Sequence, residues 1–309
     1  MVIKSGESSH PGRTSLAVEG DIAIAYETFG DAADPPVLLI MGLGGQLLSW
    51  QEEFCQQLAD RRLFVVRFDN RDVGLSTHLP NAPLPDLAGI VSGDFSTAPY
   101  TLSDMASDTA SLIEALGVGS AHVVGASMGG MIGQVLAIEH PDRVRSLTSI
   151  MSTTGDPNVG QSTEEAFAQL ARPAARTREE MIEGRLQSNR VVGSPDFPTS
   201  EAELRDRAGQ AFDRNFDPEG GARQFAAVLA SPDRTADLAE IRVPTLVIHG
   251  SDDPLIQVSG GHATAAAIPD AELLVINGMG HDLPRQLWPH VTERISAHIA
   301  NAERRNHSA

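Results

Sequence analysis

A mostly parallel α/β sheet with helices on both faces is the fold class that this 309-residue sequence predicts. Three observations lead there. Short continuous apolar runs recur along the chain, amphipathic stretches separate them, and a single long segment breaks the alternation. An apolar run without polar alternation is expected of a strand covered on both faces, the situation of a parallel sheet whose crossovers are helices.

The elements follow in order. DIAIAYETFG (21–30) alternates apolar and polar positions and predicts a half-exposed strand. PPVLLIMG (35–42) and LFVVRFD (63–69) predict buried strands, with an amphipathic helix from Leu48 to Arg61 between them. Leu79 to Pro99 is rich in Pro, Gly and Ser and reads as loop. TLSDMASDTASLIEALGV (101–118) predicts a helix with Thr101 as N-cap, Asp104 three residues on and a stop at Gly117. AHVVGA, VRSLTSIM, VPTLVIHG and AELLVING predict four further buried strands, and LWPHVTERISAHIA a closing helix. The first fifteen residues and the tail NAERRNHSA read as loose arms.

From about Thr154 to Asp237 the buried strands stop. Four polar helical patterns take their place: STEEAFAQLA, TREEMIEGRLQSNRVV, SEAELRDRAGQAFDRNF and EGGARQFAAVLA. The expected organisation is a core in two pieces, residues 1–153 and 238–309, with a helical lid at 154–237. Phe167, Leu170, Phe212, Phe216, Phe225 and Leu229 either line a substrate pocket under that lid or pack its helices together.

Composition narrows the function classes. Lys and Arg total 23 against 41 Asp and Glu, a formal charge of −18, which repels nucleic acid and anionic membrane. No segment reaches the roughly 20 apolar residues of a membrane span, and a cytoplasmic location is expected. The one cysteine, Cys55, lies on a helical pattern with Trp50, Phe54 and Leu58 and reads as a packed apolar side chain. No cluster has metal-ligand spacing, and no cofactor is expected.

One short stretch brings chemistry. HVVGASMGGMIG (122–133) places Ser127 in a G-x-S-x-G turn between a strand and a helix. A serine that attacks a carbonyl must project from a tight turn, which needs small neighbours two residues away. Its base and acid should follow later core strands. TLVIHG is followed by SDDP, offering Asp252 and Asp253; ELLVING is followed by GMGHDL, offering His281. Asp253 is preferred for its distance past Gly250, and Asp156 is a weaker rival. His249, at the end of a buried strand, reads as a core residue. The expected catalytic residues are therefore Ser127, Asp253 and His281. The oxyanion donors are expected at the backbone N–H groups of Met128 and of Leu43, in the loop MGLGGQ.

With MGLGG, FDNRDVGLS, GASMGG, GSDDP and GMGH in that order, the chain resembles the α/β-hydrolases, and within them bacterial esterases of the aclacinomycin methylesterase type. The resemblance implies hydrolysis of a small-molecule carboxylic ester. Lactonase, C–C bond hydrolase and cofactor-free perhydrolase activities use the same triad. A ligand-binding protein on the same scaffold is the reading from another class. Two departures stand out: Met41-Gly42 replaces the usual His-Gly, and Asp72 stands within the Asp69–Ser76 segment where the pattern has Gly. That segment is usually a structural turn, and Arg71 and Asp72 are assigned no chemistry. The sequence carries no signal of oligomeric state.

Overall fold

The structure, a computed structural model, describes residues 14–306 apart from residues 20, 171 and 173. Eight strands form one sheet: β1 (Ser15–Glu19), β2 (Ile22–Phe29), β3 (Pro36–Ile40), β4 (Phe64–Phe68), β5 (Ala121–Ala126), β6 (Val144–Ile150), β7 (Thr245–Gly250) and β8 (Glu272–Ile276). Their order is β1-β2-β4-β3-β5-β6-β7-β8. β2 pairs antiparallel with β1 and β4, and the other five pairings are parallel. Every residue of β3, β4 and β5 is buried, as their unbroken apolar runs predict.

Successive residues of these strands feed two cores. Leu38, Ile40, Val66 and Val123 face one way, towards α3 (Leu102–Ala115) and α4 (Met128–Glu139). Val37, Leu39, Val65 and Val124 face the other, towards α1 (Glu52–Ala59) and α11 (Trp288–Asn306). Each fully buried aliphatic side chain contributes about 1.5–3 kcal/mol, so the double-sided strands are the stable centre. Thr101 N–H donates to Asp104 Oδ2 at 2.8 Å, closing the expected cap of α3.

Four elements differ from expectation. β1 escapes the sequence because it buries no large apolar side chain, and its Leu16 and Val18 point to solvent. β8 is an edge strand with Glu272 and Leu273 exposed, so its apolar run marks one partner strand rather than two. The 79–99 loop contains a short helix, α2 (Leu87–Val91), capped by Asp86. Residues 301–306 of the tail continue α11 because Ala302 packs inward; the remaining arm residues, 1–13 and 307–309, lie outside the described residues.

Between β6 and β7 the described residues form helices only: α5 (Glu164–Leu170), α6 (Arg178–Val192), α7 (Glu201–Arg214), α8 (Gly220–Ala230) and α9 (Thr235–Leu238). α6 and α7 pack through Ile182, Leu186, Leu204 and Ala208. The ends of the segment meet where Arg234 N–H donates to Thr154 O at 3.0 Å. After β7, α10 (Ser259–Ala267) leads to β8.

Chain order reverses between β3 and β5: the connection from β3 runs to β4 on one side, and β5 lies on the other. Ile40 and Gly125 are register partners there, so the loops leaving both strands open into one crevice.

Candidate active site

Ser127 sits at that crevice, between the last residue of β5 and the first of α4. Its φ of 56° and ψ of −120° lie in a region L-residues seldom occupy, and the turn holds it there. Ser127 N–H donates to Ile150 O at 2.9 Å. The flanking glycines are required sterically. A Cβ on Gly125 would stand 2.0 Å from Gly129 O, and one on Gly129 would stand 2.1 Å from Ile40 O.

Asp253 and His281 follow β7 and β8, which are neighbours in the sheet. His281 Nε2 is 3.0 Å from Ser127 Oγ, and His281 Nδ1 is 2.7 Å from Asp253 Oδ2. This network places the imidazole proton on Nδ1, donated to the carboxylate, and leaves Nε2 to accept the serine hydroxyl. Asp253 is 3% exposed, and its other oxygen accepts the N–H groups of Leu255 and Ile256 at 2.9 Å each. A buried carboxylate with all these donors is fixed in place.

The neighbours have other tasks. Asp252 accepts Gly278 N–H at 3.0 Å and steadies the loop that bears His281. Asp156 accepts Asn158 N–H at 2.8 Å within its own turn. His249 is fully buried, as read from the sequence, and bonded to Ile256 O at 2.7 Å; burial holds its pKa below the usual value. It also lies 3.6 Å from Asp253 Oδ2, a proximity the sequence does not disclose. Cys55 is buried, and burial pushes its thiol up to about 12, which removes it as a nucleophile.

The loop after β3 lies against the serine. A Cβ on Gly42 would be 3.1 Å from Ser127 Cβ, and Leu43 is the next residue. Met128 is the first residue of α4, where an N–H has no intrahelical acceptor. Four side chains brace this loop. Asn70 Nδ2 donates to Met41 O at 2.9 Å, and Asp69 Oδ1 accepts Leu47 N–H at 2.7 Å. Arg214 of α7 reaches Gln46 Oε1 at 3.0 Å and Asp69 Oδ2 at 2.7 Å. Gln224 of α8 accepts Gly44 N–H and donates to Arg71 O, both at 2.8 Å. Arg214 and Gln224 are missed by sequence reasoning, because each lies on a polar helix far from the loop it holds.

The Asp69–Ser76 segment proves to be an anchor. Arg71 pairs with Asp108 at 2.6 Å, and Asp72 pairs with Arg223 of α8 at 2.9 Å with both side chains fully buried. Asp72, His78 and Asp217 converge closely enough to suggest a metal cluster. The Arg223 guanidinium already contacts Asp72 and Asp217, at 2.9 and 2.8 Å, so a protein cation fills that position.

A family model described as the alpha/beta hydrolase fold matches residues 35–284. The chain belongs to the α/β-hydrolase family. This α/β-hydrolase is 30% identical to rhodomycin D methylesterase DauP of Streptomyces sp. (strain C5), over 94% of this chain and 99% of that one. It is 28% identical to 3-oxoadipate enol-lactonase 2 of Acinetobacter baylyi, over 83% and 85% of the two chains. Among solved structures, a hydrolase from Pseudomonas aeruginosa PA01 superimposes with a TM-score of 0.69 at 26% identity, covering 95% of this chain and 99% of that one. No helix among the described residues is long and apolar enough to cross a membrane.

Proposed function

We propose that this α/β-hydrolase cleaves carboxylic esters of small molecules through an acyl-enzyme intermediate. The hydrogen-bonded series Ser127 Oγ, His281, Asp253 carries the reading, supported by the 30% identity to a methylesterase. Ser127 Oγ attacks the ester carbon as its proton passes to His281 Nε2. The N–H groups of Met128 and Leu43 receive the oxyanion. Collapse expels the alcohol, which takes the proton back from His281. Water, deprotonated by the same nitrogen, then releases the acid and restores Ser127. Asp253 holds the imidazolium throughout. Residues 154–237 act as the lid, bounded by the Thr154–Arg234 contact, and the protein works in the cytoplasm.

Lactone opening is the second reading. It uses the same groups, and the 28% identity to an enol-lactonase favours it over the other rivals. The test is a panel of methyl, p-nitrophenyl and lactone substrates with wild type and S127A, alongside labelling by a fluorophosphonate. Turnover and labelling that both vanish in S127A are expected. A wild-type protein that hydrolyses no ester or lactone and takes no label overturns the proposal.

A further inference from the structure

The turn that carries Asp253 has a donor for each of its next three carbonyls. Thr163 N–H donates to Pro254 O at 2.9 Å, Ser162 Oγ to Leu255 O, and His249 Nε2 to Ile256 O at 2.7 Å. The first two donors come from the segment leading into α5, and the third is the penultimate residue of β7. A carbonyl can only accept, so Nε2 carries the imidazole proton. Burial keeps the ring neutral, which leaves Nδ1 bare. That nitrogen is buried and has no hydrogen-bond partner among the described residues. Gly261 of α10 lies against it, where a Cβ would stand 2.6 Å away.

A fully buried imidazole with one orphaned nitrogen is a costly way to fill a position that an apolar side chain could pack. What the ring supplies is a single N–H at a decisive place. Ile256 is tied at both ends, its N–H to Asp253 Oδ1 at 2.9 Å and its carbonyl to His249. The same His249 nitrogen lies 3.6 Å from Asp253 Oδ2, the oxygen bonded to His281 Nδ1. We infer that His249 is a positioning residue: through Ile256 it fixes the direction of the Asp253 carboxylate, and so of the imidazole that takes the proton of Ser127. It acts through Asp253 and takes no proton itself. The inference rests on the ester-hydrolase reading.

Two measurements test it separately. Glutamine carries its Nε2 as many bonds from the backbone as histidine does, whereas the amide of asparagine stops at the Nδ1 position, short of Ile256 O. On p-nitrophenyl acetate, H249L and H249N should lose about tenfold in kcat with KM little changed, and H249Q should keep most of the activity. Thermal melts identify the folded variants, and H249N carries the comparison if H249L does not fold. In a D253N background H249L should cost nothing further, because the group it aligns is gone. A second tenfold loss there, or equal losses in H249Q and H249L, overturns the assignment. The other measurement needs no substrate: the far-downfield proton resonance of the His281–Asp253 hydrogen bond, recognised by its loss in D253N. It should persist in H249Q and shift or broaden in H249L and H249N. An unaltered resonance in these two variants overturns the assignment whatever the esters do. A resonance that responds as expected in a protein that turns over no ester leaves His249 its role and removes the hydrolase reading.

Discussion

Gln224 Oε1 accepts the Gly44 N–H at 2.8 Å across 180 residues of chain, so one side chain of α8 sets the loop beside Ser127. Both ends of its amide are engaged, since Nε2 donates to Arg71 O. Q224L should therefore loosen the proposed donor at Leu43 without touching Ser127, His281 or Asp253. A drop in kcat of about tenfold, with a smaller change in KM, is expected from steady-state kinetics on a p-nitrophenyl ester; loss of a whole oxyanion donor costs about 10²–10³. A KM change alone would place Gln224 in substrate binding instead.

Ser127 occupies a conformation suited to glycine. S127A and S127G should both lose about 10³-fold or more in turnover. Urea unfolding should find S127G more stable than S127A by about 1 kcal/mol, because only glycine relieves the positive φ. Equal stability would show that the turn stores no strain.

Asp252 and Asp253 are adjacent, yet their duties differ. D253N should lower kcat by about 10³–10⁴, leaving His281 without its carboxylate partner. D252N keeps an oxygen that can accept the Gly278 N–H, loses only the charge on that brace, and should cost less than about tenfold. Parallel pH–rate profiles of the two variants would reverse the assignment if D252N proved the more damaged.

Two glycines should respond oppositely to alanine. G125A forces a Cβ to 2.0 Å from the Gly129 carbonyl and should destabilise by more than about 3 kcal/mol. Gly184, inside α6 with open space around it, should gain about 0.5–1 kcal/mol in G184A. Thermal melts of the two variants check both signs.

His122 is fully buried between Ser146 and Glu303, and burial holds its pKa down to about 4 against 6.5. Above pH 6.5 it is neutral in both states. As pH falls from 6.5 towards 4, the unfolded chain takes a proton that the folded chain refuses, so stability declines. Asp69 and Asp282 have raised values, through burial, and oppose this at the acid end: there the folded state holds more protons than the unfolded one. H122Q should flatten the decline between pH 6.5 and 5 by up to about 1.4 kcal/mol per pH unit, measured by urea unfolding. An unchanged slope would assign it to other groups.

Much of this molecule is legible in its residues because the relevant signals are local. β3, β4 and β5 announce themselves through unbroken apolar runs, and Ser127, Asp253 and His281 stand where strand ends deliver them. β1 is silent because Ala17 buries too little surface to leave a pattern. Gln224 and Arg214 are legible nowhere in sequence, since each acts on a loop more than a hundred residues away.

The attachment of His281 has a consequence for how substrate gets in. Its N–H donates to Val192 O at 2.7 Å, at the end of α6, and the next residue, Asp282, is held by Ser194 N–H at 3.0 Å. Lifting that end of the helix must either break these bonds or take the imidazole along. In the second case an open molecule is a disarmed one: the serine loses its base while water has free access, and regains it when the helix settles back.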